Sequence, residues 1–132
     1  MPIDYKVRSA GSLVDASATG KLTEAEVRRY IKATSTDKRI KVGFDTLMDL
    51  SRASIDPKLY GLIGKFSALI TKNPKKSPKS KLAIVPGSSR VFDGARQFEQ
   101  ISPPGLQTVI VFSDVGTART WLGASDTKRK SP

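Results

Sequence analysis

The chain has 132 residues and a formal net charge of +11, and it contains neither histidine nor cysteine. The absence of cysteine excludes disulfides and thiolate metal sites, and the absence of histidine removes the commonest general base and nitrogen ligand. This length favours one domain with a single hydrophobic core. We therefore predict no catalytic residues, no metal site and no cofactor.

Hydrophobic periodicity predicts strands and helices in alternation along the chain. Alternating apolar and polar residues indicate strands, whereas apolar residues three and four positions apart indicate helices with one core-facing side. Capping and turn residues separate these segments. The predicted strands are Ile3–Arg8, Leu13–Ala18, Phe44–Leu50, Lys81–Val85 and Thr108–Phe112, and the predicted helices follow Thr23, Asp56, Ser88 or Ser89, and Asp114.

Local signals set the expected ends of these elements. Gly20 is expected to end the second strand, and the spacing of Thr23 and Glu26 predicts a capping box that opens the first helix. We expect that helix to reach about Ala33. After the third strand, Asp49 is expected to hold a loop over residues 51–54 by hydrogen bonds.

The resulting order, β-β-α-β-α-β-α-β-α, predicts an α/β sandwich. Its sheet would be mixed and contain about five strands, because a short turn makes the opening hairpin antiparallel while helical crossovers make the later strands parallel. The prediction assigns residues 1–123 to this single domain and residues 124–132 to a basic, flexible tail.

Most of the excess positive charge lies in one lysine-rich segment and in the tail. Five lysines fall between Thr71 and Lys81 without any acidic residue. Such a run is typical of a solvated loop, but it could also attach the protein to an anionic membrane. Nucleic acid is a less favoured partner, because no aromatic residues are interleaved with the charges. The candidate membrane-contact residues are Lys72, Lys75, Lys76, Lys79 and Lys81.

Four segments of the chain form a recognisable set. They are the hairpin end Ala18–Thr23, the strand end Leu47–Ser51, the apolar helix after Ile55-Asp56, and the final strand and helix from Thr108 to Gly123. Together these segments resemble the SpoIIAA-like (STAS-related) family, the fold of bacterial anti-sigma-factor antagonists. The resemblance runs from roughly Ile3 to Gly123 and therefore covers almost the whole predicted domain.

The resemblance implies a non-catalytic regulatory module that acts through protein contacts. With no signal peptide or membrane-spanning stretch visible in the sequence, we expect a cytoplasmic, bacterial-type protein. The resemblance also implies a phosphorylatable serine directly after an Ile-Asp pair, but Ile55-Asp56 is followed here by Pro57-Lys58. We therefore expect no phosphoserine switch at that position, with Ser51 or Ser54 as the alternative acceptors. The predicted partner-binding residues are Asp49, Ser51, Arg52, Ser54, Asp56 and Lys58.

A second interpretation is a carrier or sensor of an apolar, lipid-like ligand that docks peripherally on anionic membranes. Some SpoIIAA-like proteins are similar to CRAL-TRIO lipid carriers, and Gly61 and Gly64 are consistent with a movable helix beside a pocket. The turn Ser88, Ser89 and Arg90 is either a helix cap or an anion-binding loop. A homodimer remains a further alternative.

Overall fold

The computed structural model describes residues 3–76, 80–102 and 107–123. Within them the predicted order of strands and helices is confirmed, and a short 3-10 helix, Pro57–Leu62, precedes the second α-helix. The strands are β1 Ile3–Arg8, β2 Leu13–Leu22, β3 Asp45–Ile55, β4 Lys81–Pro86 and β5 Thr108–Val111. The helices are α1 Glu24–Thr36, α2 Ile63–Thr71, α3 Ser89–Ile101 and α4 Val115–Leu122.

The five strands form one mixed sheet in the order β1-β2-β3-β4-β5, so the spatial order equals the order in the chain. β1 pairs with β2 in antiparallel fashion, with Ile3 opposite Ala18, and the remaining neighbours are parallel. This arrangement confirms the predicted fold class. It also brings the carboxyl ends of β2, β3 and β4 to the same end of the sheet, where open α/β folds usually place their binding residues.

Helices cover both faces of the sheet. Leu47 of β3 points to one face and belongs to a buried cluster with Ala118 and Leu122 of α4. Met48, the next residue along the strand, packs among the residues of the opposite face. Because side chains alternate along a strand, α4 covers one face while α1, α2 and α3 cover the other.

β3 contains a β-bulge near its carboxyl end. Ser17 of β2 pairs with Asp49, but Thr19 pairs with Arg52, so β3 advances three residues while β2 advances two. An extra residue reverses the alternation of side chains that follows it. Beyond the bulge, Ile55 therefore faces the same helices as Met48 does before it.

The sequence-based boundaries of the strands shift by one residue at Phe44, Val85 and Phe112, and three larger expectations are wrong. Residues 51–54 belong to strand β3 and not to a loop, because the bulge hides their strand periodicity. Gly20 does not end β2, since it continues the strand with a φ of +73°, a conformation that glycine adopts without strain. Helix α1 continues to Thr36.

Side chains cap the helices at the predicted positions. Thr23 accepts a hydrogen bond from the N–H of Glu26 at 3.4 Å, and Asp114 accepts one from the N–H of Thr117 at 2.8 Å. The reciprocal half of the predicted capping box is wrong, because the Glu26 carboxylate turns to Arg29 at 2.9 Å. These two caps fix where α1 and α4 begin after the preceding strands.

Candidate functional site

The predicted partner-binding residues lie at the carboxyl ends of β3 and β4, and we call this region the strand-end surface. The β4–α3 turn packs directly against the bulge of β3. A Cβ atom added to Gly87 would lie 2.1 Å from the carbonyl oxygen of Ser51, so only glycine permits this approach. The structure thereby joins two sequence-predicted groups, which are Asp49, Ser51, Arg52, Ser54, Asp56 and Lys58, and Ser88, Ser89 and Arg90.

The two acidic residues of this surface hold backbone N–H groups. Asp49 Oδ1 accepts from the N–H of Ser51 at 3.0 Å, which confirms the expected hydrogen bond although the donor Ser51 lies in a strand and not in a loop. Asp56 Oδ1 accepts from the N–H of Lys58 at 3.1 Å and caps the 3-10 helix. With these carboxylates engaged, the cations Arg52, Lys58 and Arg90 remain exposed.

Tyr60 connects the 3-10 helix to α3. Its hydroxyl donates a hydrogen bond to the carbonyl oxygen of Arg90. Its ring lies against α3 at Gly94, where an added Cβ would be 3.2 Å from Tyr60 Cε1. The first turn of α3 and the segment after Asp56 are therefore held together by side-chain contacts.

The turn before α3 acts as a helix cap. The Ser88 hydroxyl oxygen accepts from the N–H of Val91 at 3.3 Å, which confirms the capping interpretation. Ser88, Ser89 and Arg90 are all exposed. Anion binding at this turn stays a prediction.

Phe92 is a candidate binding residue that sequence reasoning missed. The helical spacing groups it with Val91 and Ala95 on an apolar face, but Phe92 is 45% exposed whereas Val91 and Ala95 are buried. Its position one residue after buried Val91 is the signal that could have revealed it, because adjacent residues on a helix are about 100° apart. Exposed aromatic side chains are enriched at protein interfaces.

An apolar cavity of about 180 Å³ lies between the sheet and helices α1, α2 and α3. Most of its lining comes from the core-facing residues of those helices and from β2, β3 and β4. Tyr60 and Ile55 line it as well, so the cavity adjoins the strand-end surface. Other lining residues include Tyr30, Met48, Phe66, Ile84 and Ala95.

One end of the cavity carries polar groups. Asn73 and Lys76 line this end, where the N–H of Lys76 donates to the carbonyl oxygen of Asn73 at 3.1 Å. The Nζ atom of Lys76 lies 4.2 Å from the centroid of the Phe44 ring. Desolvation of the ammonium lowers the pKa of Lys76 to about 8, although attraction from Asp45 raises it.

The lysine-rich segment is only partly the solvated loop that the sequence predicts. Lys72 is exposed, but the Lys75 ammonium donates to the backbone carbonyl of Asp37 and Lys76 lines the cavity. Lys81 belongs to β4, with Nζ 5.5 Å from the centroid of the Trp121 ring. Lys79 and the predicted tail 124–132 lie outside the described residues. Membrane contact by these lysines stays a prediction.

Among residues 3–76, 80–102 and 107–123, no group of three or more acidic side chains lies close enough together to bind a metal ion. In the same ranges, no helix has the length and apolar character needed to cross a bilayer.

Solved structures with the same architecture place this chain in a known fold. An uncharacterised protein of the DUF3478 family from Shewanella loihica, described as having a SpoIIAA-like fold, aligns with a TM-score of 0.59 and 16% identity, covering 91% of this chain and 93% of that protein. The chain has a SpoIIAA-like fold. The resemblance seen in the sequence is thus confirmed at the level of fold.

Two further structures with the SpoIIAA-like fold are anti-sigma-factor antagonists. SpoIIAA in its unphosphorylated form aligns with a TM-score of 0.55 and 13% identity, over 92% of this chain and 96% of SpoIIAA. An antagonist from Mycobacterium paratuberculosis aligns with a TM-score of 0.52 and 12% identity, over 90% and 92% of the two chains. No protein-family model matches the sequence, and comparison with curated proteins finds no significant match.

Proposed function

We propose that this protein is a non-catalytic regulatory module that binds a protein partner through its strand-end surface. The observation that carries the proposal is the packing of Gly87 on Ser51, which joins the predicted partner-binding residues to the first turn of α3. Exposed Phe92 and Arg90 then lie on one helix turn beside that contact. Phenylalanine and arginine are both enriched in protein interfaces relative to the rest of the surface.

The module would work without the phosphoserine switch of antagonist proteins. Pro57 and Lys58 occupy the two positions after Asp56, and neither carries a hydroxyl group. The N–H of Lys58 is also already engaged by Asp56. The absence of histidine and cysteine supports a binding function over catalysis.

Site-specific photo-crosslinking in the native host tests the protein-binding proposal. A photoreactive phenylalanine at position 92 should give one discrete crosslinked protein, and Arg90→Glu should remove that band. With the captured protein purified, Phe92→Ala should weaken its binding about tenfold or more. Val42 provides the matched control, because it is an apolar residue that is 73% exposed and precedes the opposite end of β3. Equal crosslinking from positions 42 and 92 would contradict the proposal.

A second candidate function is the binding of an apolar ligand, and the cavity between the sheet and α1, α2 and α3 favours it. The cavity is partly open to the surface, and its volume of about 180 Å³ is far more than the space that ordinary packing leaves between side chains. Engineered apolar cavities of about 150 Å³ take up benzene. The cavity can therefore hold a small hydrocarbon group.

Uptake of 1-octanol, measured by calorimetry, tests this second function. Ala95 lines the cavity and is 6% exposed, so Ala95→Leu places three more carbon atoms in it. We expect Ala95→Leu to weaken 1-octanol binding about tenfold or more, because the larger side chain occupies the ligand volume. Ala25→Leu is the matched control, since Ala25 is exposed on α1. Undiminished binding by the folded Ala95→Leu variant would exclude the cavity as the site.

A further inference from the structure

The polar end of the apolar cavity holds one basic side chain. Of the described residues that line the cavity, Lys76 alone carries a positive charge and none carries a carboxylate. Its Nζ atom faces the Phe44 ring at 4.2 Å. Among the described residues, no carboxylate forms an ion pair with it.

A desolvated ammonium without a paired anion is costly in a folded protein, since burial favours the neutral amine. The depressed pKa of Lys76, about 8, reflects this cost. Asp45 attracts the ammonium from β3, and Asp45 itself accepts the N–H of Lys81 at 2.8 Å. An anion supplied by a ligand would compensate the Lys76 charge directly.

We propose that the cavity binds an amphipathic monocarboxylate, with its hydrocarbon chain among the apolar lining residues and its carboxylate on the ammonium of Lys76. This inference rests on the apolar-ligand function proposed above. It adds that the ligand has a carboxylate head group and that Lys76 recognises this group.

Charge matching favours a carboxylate over a phosphate monoester. One ammonium balances one negative charge, whereas a phosphate dianion would bring a second charge into an apolar site without a counter-ion. Asn73 lines the same end of the cavity, and its Oδ1 already accepts the N–H of Lys75 at 2.9 Å. The remaining NH₂ group of Asn73 is a donor, which suits a carboxylate oxygen.

The cavity volume sets the approximate chain length. A void of about 180 Å³ exceeds the roughly 150 Å³ that accommodates benzene, and it corresponds to roughly six to eight carbon atoms. Octanoate is therefore a suitable probe. 1-Octanol has the same chain and no charge, and octyl phosphate has the same chain and a dianionic head.

Calorimetric titration of the full chain with these three probes at pH 7 tests the inference. We expect octanoate to bind about tenfold or more tightly than 1-octanol, because of the charge-assisted contact with Lys76. Octyl phosphate should bind more weakly than octanoate. Lys76→Met should abolish the preference for octanoate while retaining 1-octanol binding. Lys65→Met, on the exposed side of α2, should behave as the wild type.

The pH dependence of the wild type provides a measurement that needs no variant. Lys76 loses its proton as the pH rises through about 8, so the preference for octanoate should decline between pH 7 and pH 9. Among the described residues, the other charged or titratable groups around Lys76 are Tyr30, Asp45 and Lys81, whose N–H Asp45 accepts. Burial raises the pKa of Tyr30 and raises that of Asp45 from its ordinary acidic value. Binding of 1-octanol should be independent of pH.

Each outcome has a distinct meaning. Equal binding of octanoate and 1-octanol, or a preference that survives in folded Lys76→Met, overturns the head-group assignment and leaves apolar-ligand binding intact. Tighter binding of octyl phosphate than of octanoate overturns the monocarboxylate assignment. Failure of all three probes to bind overturns both the inference and the apolar-ligand function.

Discussion

Leu47→Ala is expected to lower the free energy of unfolding by about 3 to 4 kcal/mol. Leu47 is 1% exposed and lies in the central strand of the sheet, where it packs against residues of β4 and α4. Truncation removes three buried carbon atoms and leaves a new cavity. Because helices pack on both faces of the sheet, the surrounding residues can fill this cavity only in part. Urea unfolding followed by circular dichroism measures the loss.

Leu47→Met is the matched control for this substitution. It conserves the side-chain volume approximately and should cost less than about 1.5 kcal/mol. A loss below about 1 kcal/mol for Leu47→Ala would contradict the described packing under α4. Because Leu47 faces away from the apolar cavity, the folded Leu47→Ala variant should bind 1-octanol like the wild type.

Gly87→Ala is expected to destabilise the fold by about 2 to 3 kcal/mol, through overpacking of backbone atoms. The new Cβ would lie 2.1 Å from Ser51 O and 2.6 Å from Ser51 C. Backbone atoms cannot rotate aside as a flexible side chain can, so the β4–α3 turn must move away from β3. Denaturant unfolding gives the change in stability, and partner crosslinking from position 92 should fall in the same variant.

Gly64→Ala is the control for Gly87→Ala. Gly64 lies in α2, and an added Cβ there meets no heavy atom within 4 Å. Alanine has the higher helix propensity, so this variant should gain about 0.5 to 1 kcal/mol. Two substitutions of the same chemical kind are thus expected to change stability in opposite directions. Equal effects would refute the close approach of Gly87 to Ser51.

The overall fold could be predicted from the sequence, because each strand and helix is indicated by residues close together in the chain. The alternation in Ile3–Arg8, the caps at Thr23 and Asp114, and the apolar run before Pro86 each predict one element. Short connections then restrict the topology to few choices. The SpoIIAA-like architecture follows from these elements in order.

The end of β3 could not be predicted, because its signal is not local. The bulge places Arg52 and Ser54 on the exposed side and Ile55 on the buried side, so the segment does not continue the alternation of the preceding residues. Only pairing with β2, through Thr19 and Leu22, identifies it as a strand. The polar composition alone is equally typical of a loop.

The candidate sites were predicted in part. Helix capping by Asp56 and Ser88 depends on neighbouring residues and was predictable. The contact of Gly87 with Ser51 joins residues far apart in sequence, and no spacing rule reveals it. In the sequence, Lys76 is one of several lysines in a charged run. Its position at the cavity depends on how the segment after α2 returns to the sheet, which the sequence pattern does not show.

Tyr60 belongs to both candidate sites, which affects the design of experiments. Its ring lines the cavity, and its hydroxyl binds Arg90 at the strand-end surface. A substitution at Tyr60 would disturb both sites and separate neither function. Phe92 and Ala95 are better choices, because Phe92 is exposed and Ala95 is buried at the cavity.

The strands lie in the sheet in the same order as in the chain, and this affects how the protein can fold while it is being synthesised. Each strand from β2 onward pairs with a strand that has already left the ribosome, so the sheet can grow one edge at a time as the chain emerges. Each parallel pair still closes a loop that contains a whole crossover helix, but pairing between sequential strands keeps that loop shorter than pairing between distant strands would. The face that holds Leu47 is different, because α4 covers it last. The nascent chain therefore exposes that apolar face until Val115–Leu122 has left the ribosome, and the face is prone to aggregation during that interval.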